Sequence, residues 1–148
     1  MRSTLDLNAL VSSLGDAIVA CDADGAIILW NAAAARIFGY AEDEALGKSL
    51  DLIIPERLRQ RHWDAYAKTM QTGETRYGDE VLRVPAVDKN GRSLSIAFTV
   101  ALLQSADEKV TAIVAAIRDE TSRFAEERNL RKRLAELEAK VEARDETA

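Results

Sequence analysis

The chain has 148 residues, 47% of them hydrophobic and 30% charged, with a formal net charge of -5. That length suits a single domain with one core. The acidic balance argues against a nucleic-acid partner, which needs clustered basic residues to neutralise phosphates. One cysteine, Cys21, permits neither an internal disulfide nor a zinc site of its own. The start "MRSTLDLNAL" lacks the apolar run of a signal peptide, and no segment nears the roughly 20 apolar residues that span a bilayer. A reducing, cytoplasmic setting without membrane contact is the expectation.

In "STLDLNALVSSLGDA", Leu5, Leu7, Leu10, Val11 and Leu14 recur at near-helical spacing. This predicts a short amphipathic helix ending at Gly15. Two apolar runs follow, Ala17–Cys21 and Ala26–Trp30, and the turn sequence "DADG" between them predicts a hairpin. Asn31 can cap the next helix, "AAAARIFGY", which Gly39 closes. "AEDEALGKSLDLIIP" predicts short helical turns stopped by Gly47 and Pro55.

"ERLRQRHWDAYAKTMQTG" is the longest internal helix pattern and holds the single histidine, His62. Its apolar face runs through Leu58, His62, Ala65, Tyr66 and Thr69. Trp63 lies about 100° round from His62 and need not share that face. Beyond Gly73 the period changes to that of strands. "YGDEVLRVPAVDKNGRSLSIAFTVALLQSADEKVTAIVAAIRD" holds three runs split by the turns "DKNG" and "SADEK". Pro85 suggests an edge or a bulge, and the continuous apolar run Val110–Ile117 suggests a central strand. In the tail, Leu130, Leu134, Leu137 and Val141 are spaced 4, 3, 4, the spacing of a coiled-coil seam. The resulting order predicts an α+β domain, an antiparallel sheet with helices on one face.

That order and four of its stretches resemble a PAS domain, a sensory module of bacterial signalling proteins. The stretches are "AIVACDADGAIILWNAAAARIFGY", "EALGKSLDLIIP", "DKNGRSLSIAFTV" and "RDET", and the resemblance spans roughly Leu10 to Thr121. It implies a five-stranded antiparallel sheet of order 2-1-5-4-3. The boundaries that follow are an N-terminal helical cap over 1–15, the sensor domain over 16–120 and a coiled-coil signalling helix over 121–148. "RDET" stands at the family's Asp-x-Thr junction, which implies that Asp119 and Thr121 relay signal into the tail helix. Read from the residues alone, both are plausible helix caps.

Within the family, "PERLRQRHWDAYAKTMQTGE" resembles the haem-binding helix of oxygen-sensing PAS domains. The resemblance implies haem b, with His62 as the metal ligand and Leu58, Tyr66, Met70 and Leu82 around the cofactor. It departs from the pattern at Ala65, where such sensors often carry Tyr, and at Leu82, where an arginine would be expected. Arg83 is adjacent, but one step along a strand reverses the face. Read from the residues alone, His62 is a core imidazole hydrogen-bonded to a carbonyl or to Tyr66. Arg57, Arg59 and Arg61 suit haem propionates or, more simply, a solvated helix face. Trp30 and Phe38 are expected in the core. Cys21 is expected to act as a small buried hydrophobe. The Asn-Cys-Arg stretch of flavin-binding light sensors is missing.

The expected function is sensing and dimerisation, not catalysis. The chain carries no Gly-rich phosphate loop, no metalloprotease helix and nothing that pairs a nucleophile with His62. Expected partners are a second copy through Leu130, Leu134, Leu137 and Val141, a diatomic gas or small-molecule ligand, and a downstream signalling protein. The alternatives are a module for a small metabolite without metal, and a purely structural dimerisation domain.

Overall fold

The structure, a computed structural model, describes residues 4–75 and 79–147. The first three residues of the predicted cap, the start of the strand-like run at Tyr77 and the last residue of the tail lie outside the described residues. The elements in order are α1 (Leu7–Ser13), β1 (Ala17–Asp22), β2 (Ile27–Trp30), α2 (Ala32–Phe38) and α3 (Glu42–Ala45). A 3-10 turn over Leu50–Ile53 follows, then α4 (Glu56–Thr72), β3 (Leu82–Val87), β4 (Ser93–Gln104), β5 (Val110–Asp119) and α5 (Thr121–Thr147). The strands form one antiparallel sheet of order β2-β1-β5-β4-β3, as expected. Pro85 lies on the edge strand β3, where a missing N–H is tolerated, and the apolar run of β5 lies at the centre.

Alternation along the strands sorts the two faces. Ala17, Val19 and Cys21 of β1, Ile96 of β4 and Ile117 of β5 enter the core with Trp30, Phe38, Ile53 and Tyr66. Trp30 and Phe38 are the largest fully buried side chains after which Ile27 ranks. Their rings meet at 5.6 Å and 41°, and burial of each contributes on the order of 2–3 kcal/mol. The indole N–H of Trp30 donates to the carbonyl of Tyr40 at 2.9 Å, so burying it leaves no orphan donor.

Asn31 does more than cap α2. Its side-chain oxygen accepts from the N–H groups of Ala34 and Ile18, and its amide donates to the carbonyls of Val11 and Asp16. One buried amide thus ties the end of α1 and the start of β1 to α2. That tether also accounts for a difference from expectation: α1 ends at Ser13, not Gly15, because Leu14 turns extended to enter β1. Gly39 and Gly73 close α2 and α4 in the left-handed conformation, as their positions predicted.

Candidate functional site

Helix α4 has no side-chain cap at Pro55 and is held by its contacts with the rest of the domain. The Nε–H of Arg59 donates to the carbonyl of Ile54, and its terminal nitrogen to the carbonyl of Asp51. Arg59 therefore locks the preceding 3-10 turn and is neither free for a propionate nor simply solvated, while Arg57 and Arg61 are exposed. The indole N–H of Trp63 donates to Asp51 Oδ1 at 2.7 Å, and its ring covers Gly25 in the β1–β2 turn. A Cβ on Gly25 would collide with that ring. The hydroxyl of Tyr66 donates to the carbonyl of Asp22.

These contacts rotate the buried stripe of α4 from the predicted one. Trp63 belongs to it, and Ala65 is exposed. Large rings find more surface to cover over the hairpin turn than a methyl does, so the helix settles on Trp63 and Tyr66. His62 packs beside both, 4.6 Å from the Trp63 ring and 5.9 Å from that of Tyr66. Its Nδ1 is buried with no hydrogen-bond partner among the described residues. The core histidine bonded to a carbonyl or to Tyr66, expected from the residues alone, is not what the chain forms. Burial holds the imidazole pKa below its ordinary value, against an opposing pull from the Asp51 carboxylate. At neutral pH the ring is uncharged and keeps a lone pair on one nitrogen.

The other candidate residues fall into three places. Leu58 and Met70 pack half-buried against the core from α4. Leu82 is half-buried on β3 opposite Phe98, itself packed on the core, which puts Leu82 on the helix-covered face. Arg83, one step on, points away and pairs with Glu120 at 3.5 Å. Two cavities, of about 310 and 650 Å³, lie at the base of α5, and neither is lined by His62. Among the described residues no group of three or more His, Cys, Asp and Glu side chains could hold a metal ion. Holding haem through one His62 nitrogen would need no such group.

At the junction, the carboxylate of Asp119 accepts from both the backbone N–H and the hydroxyl of Thr121. Thr121 Oγ1 in turn accepts from the N–H of Ser95 at 3.0 Å, and Glu120 N–H donates to the Ser95 carbonyl. The first turn of α5 is thereby fastened to β4. Glu120 was not singled out in the sequence; it forms ion pairs with Arg83 at 3.5 Å and with Arg123 at 3.6 Å, joining β3 to α5. Leu130, Leu134, Leu137 and Val141 stand out from α5 in solvent. Among the described residues no helix is long and apolar enough to cross a membrane.

Known proteins place this geometry. The sensor protein FixL of Bradyrhizobium diazoefficiens is 36% identical over 66 residues, 45% of this chain and 13% of its own length. The oxygen sensor protein DosP of Escherichia coli is 26% identical over 105 residues, 71% of this chain and again 13% of its length. The chain thus spans a small part of the curated relatives it matches. Among solved structures, the PAS domain of a Colwellia psychrerythraea protein superposes with a TM-score of 0.68 at 18% identity, covering 78% of this chain and 95% of that one. An RNA-binding light-oxygen-voltage receptor superposes at 0.72 with 18% identity, covering 91% of this chain and 40% of that one. At such identities these structures speak to the fold alone. The family model described as PAS fold matches residues 5–119. With that match and the 2-1-5-4-3 sheet, the chain belongs to the PAS fold family.

Proposed function

We propose that this chain is a sensing and dimerisation module that binds haem b through His62, responds to a diatomic gas or to redox state, and relays the change through α5 to a separate signalling protein. The observation that carries the reading is the half-buried, uncharged imidazole of His62, whose buried Nδ1 has no hydrogen-bond partner among the described residues. A buried polar atom without a partner costs about 1–3 kcal/mol, a cost that a ligand from outside the chain removes. Among the matched relatives, DosP is by its name an oxygen sensor.

The residues present fit haem at the level of donors and lining. His62 would supply the nitrogen, and Leu58, Met70 and Leu82 would supply apolar surface. Haem b, held through His62, would supply an iron able to bind a small gas. Tyr66 commits its hydroxyl to Asp22 and holds α4 against the hairpin. Leu82 brings no hydrogen-bond donor, and Arg83 is engaged by Glu120. Selectivity for oxygen through an arginine on β3 is therefore not part of this reading. Asp119 and Thr121 are the proposed relay, because they fasten the start of α5 to Ser95 in the sheet. A ligand shifts such a device only by preferring one arrangement of sheet and helix over another.

The test is the absorption spectrum of protein expressed with haem precursor, wild type beside His62→Ala. The reading predicts a strong Soret band in the wild type that is lost or shifted in the variant. A colourless wild type that also fails to take up added hemin contradicts it, and leaves the metabolite-binding and structural alternatives.

A further inference from the structure

The larger cavity at the base of α5, about 650 Å³, carries one more inference, independent of the haem reading. It lies where β5 hands over to α5, and Gly15 and Asp16 of the α1–β1 linker form part of its wall. Three arginines line it from three segments: Arg36 from the last turn of α2, Arg92 from the residue before β4, and Arg118 from the end of β5. Asp16, Asp88 and Asp119 line it as well, so the cavity as a whole is close to neutral. The hydrogen bonds, not the sum of charges, tell what it can hold.

The carboxylates are engaged within the domain. Asp88 is 7% exposed; one oxygen accepts from the backbone N–H groups of Asn90 and Arg92, and the other from Arg92 Nε at 3.2 Å. Asp119 accepts from the N–H and the hydroxyl of Thr121. Asp16 sits in the fork of Arg118, at 3.1 and 3.3 Å. The guanidinium groups keep most of their donors. Arg118 uses Nε and one terminal nitrogen, Arg92 its Nε for Asp88, and Arg36 one terminal nitrogen for the Gly15 carbonyl at 3.2 Å. Among the described residues Arg36 has no carboxylate partner, and the hydroxyls of Ser93 and Ser122 have no hydrogen bond. The smaller cavity differs on this point, because Glu120 and Glu127 engage both of its arginines, Arg83 and Arg123.

A cavity rich in unused donors, with one unopposed positive charge, suits an acceptor-only group. A phosphoryl group carries about two negative charges at neutral pH and three terminal oxygens, and guanidinium forks engage such oxygens in pairs. A carboxylate has fewer oxygens and half the charge, and would leave more of these donors unused. The volume exceeds what a bare phosphate ion fills and falls in the range of sites for small organic ligands. We propose that this cavity binds the phosphoryl group of a small phosphate monoester, with Arg36 and Arg92 as its charged ligands and Ser93 and Ser122 as further donors. Ser122 belongs to the first turn of α5, so the ligand ties α2 to the root of that helix, beside the bond between Asp119 and Thr121.

Calorimetric titration of the full chain at low salt, with AMP, inorganic phosphate and succinate in turn, tests this. The expected result is saturable binding of AMP, weaker binding of phosphate at the same site, and the weakest of succinate. Arg36→Gln and Arg92→Gln should each raise the AMP dissociation constant at least about tenfold. Arg128→Gln, on an exposed arginine of α5 outside the cavity, should leave it unchanged. Arg92 holds the buried Asp88, so if Arg92→Gln lowers the melting temperature of the free protein, Arg36→Gln decides alone. Failure of both AMP and phosphate to bind at millimolar concentration overturns the site, as does AMP binding that Arg36→Gln leaves intact. Succinate bound as tightly as AMP overturns the choice of a phosphoryl group, and phosphate bound as tightly as AMP overturns the choice of a monoester.

Discussion

Helix α4 turns Trp63 and Tyr66 onto its own domain and leaves one nitrogen of His62 buried without a partner among the described residues. Helix α5, at 27 residues against 17, buries no side chain and holds five large apolar residues, Phe124 and the four of the seam, in solvent. Each helix carries an unmet demand, but of a different kind. That of α4 is a single polar atom inside the domain, which something small can meet. That of α5 is an apolar stripe outside it, which another helix can meet. Their anchors differ in the same way. α4 is placed by ring packing and by hydrogen bonds from Arg59, Trp63 and Tyr66. α5 is placed only at its root, by Asp119, Glu120 and Thr121. Substitutions in α4 should therefore act on folding and ligand binding, and substitutions in the stem of α5 on association alone.

The strongest challenge to that contrast is Gly25→Ala. Gly25 has φ +82°, and a Cβ there would strike the Trp63 ring. The strain and overpacking together should cost about 2–4 kcal/mol, read as a lowered urea midpoint with altered tryptophan fluorescence. An unchanged midpoint would mean that Trp63 is not seated over the hairpin. Tyr66→Phe removes one hydrogen bond to Asp22 and should cost about 1–2 kcal/mol by the same assay.

A smaller effect concerns acid. The folded imidazole of His62 titrates below the ordinary value of 6.5, so the unfolded chain takes up its proton first as pH falls. Stability due to this group is complete above about pH 6.5 and is lost as pH drops through the folded pKa. His62→Leu should flatten that part of the stability-pH curve, measured by thermal melts from pH 7.5 downward. An unchanged slope in the variant would place the acid sensitivity elsewhere. The least effect on the fold belongs to Leu134→Ala, within about 0.5 kcal/mol of wild type in domain unfolding. The same change should weaken self-association at least about tenfold by sedimentation, because it removes a seam contact from both helices.

Most of the fold was legible because its signals are local. Gly39 and Gly73 close helices, the "DADG" and "DKNG" turns join strands, and the uninterrupted apolar run of β5 marks the sheet centre. The strand order was carried by family resemblance and not by periodicity. The candidate site was legible in part. His62, Tyr66, Leu58 and Met70 lie on α4 as its pattern required, but the pattern put Ala65 on the buried face and left Trp63 off it. Helical spacing tells which residues share a face. It does not tell that Gly25, nearly forty positions away, offers a bare backbone for an indole to cover. The Arg83–Glu120 pair was hidden for the same reason. Arg83 drew notice only for its distance in register from a haem-facing position, and its partner lies beyond two further strands.

His62 is the centre of the proposed function, as an uncharged imidazole whose Nδ1 has no partner among the described residues and is open to a ligand. It is the single histidine of the chain, so its ring resonances can be followed by NMR without assignment ambiguity. The predicted result is a titration midpoint below 6.5 in the ligand-free protein, and loss of those resonances into paramagnetic shifts when hemin is added. A midpoint at or above 6.5, with resonances indifferent to hemin, would contradict the account.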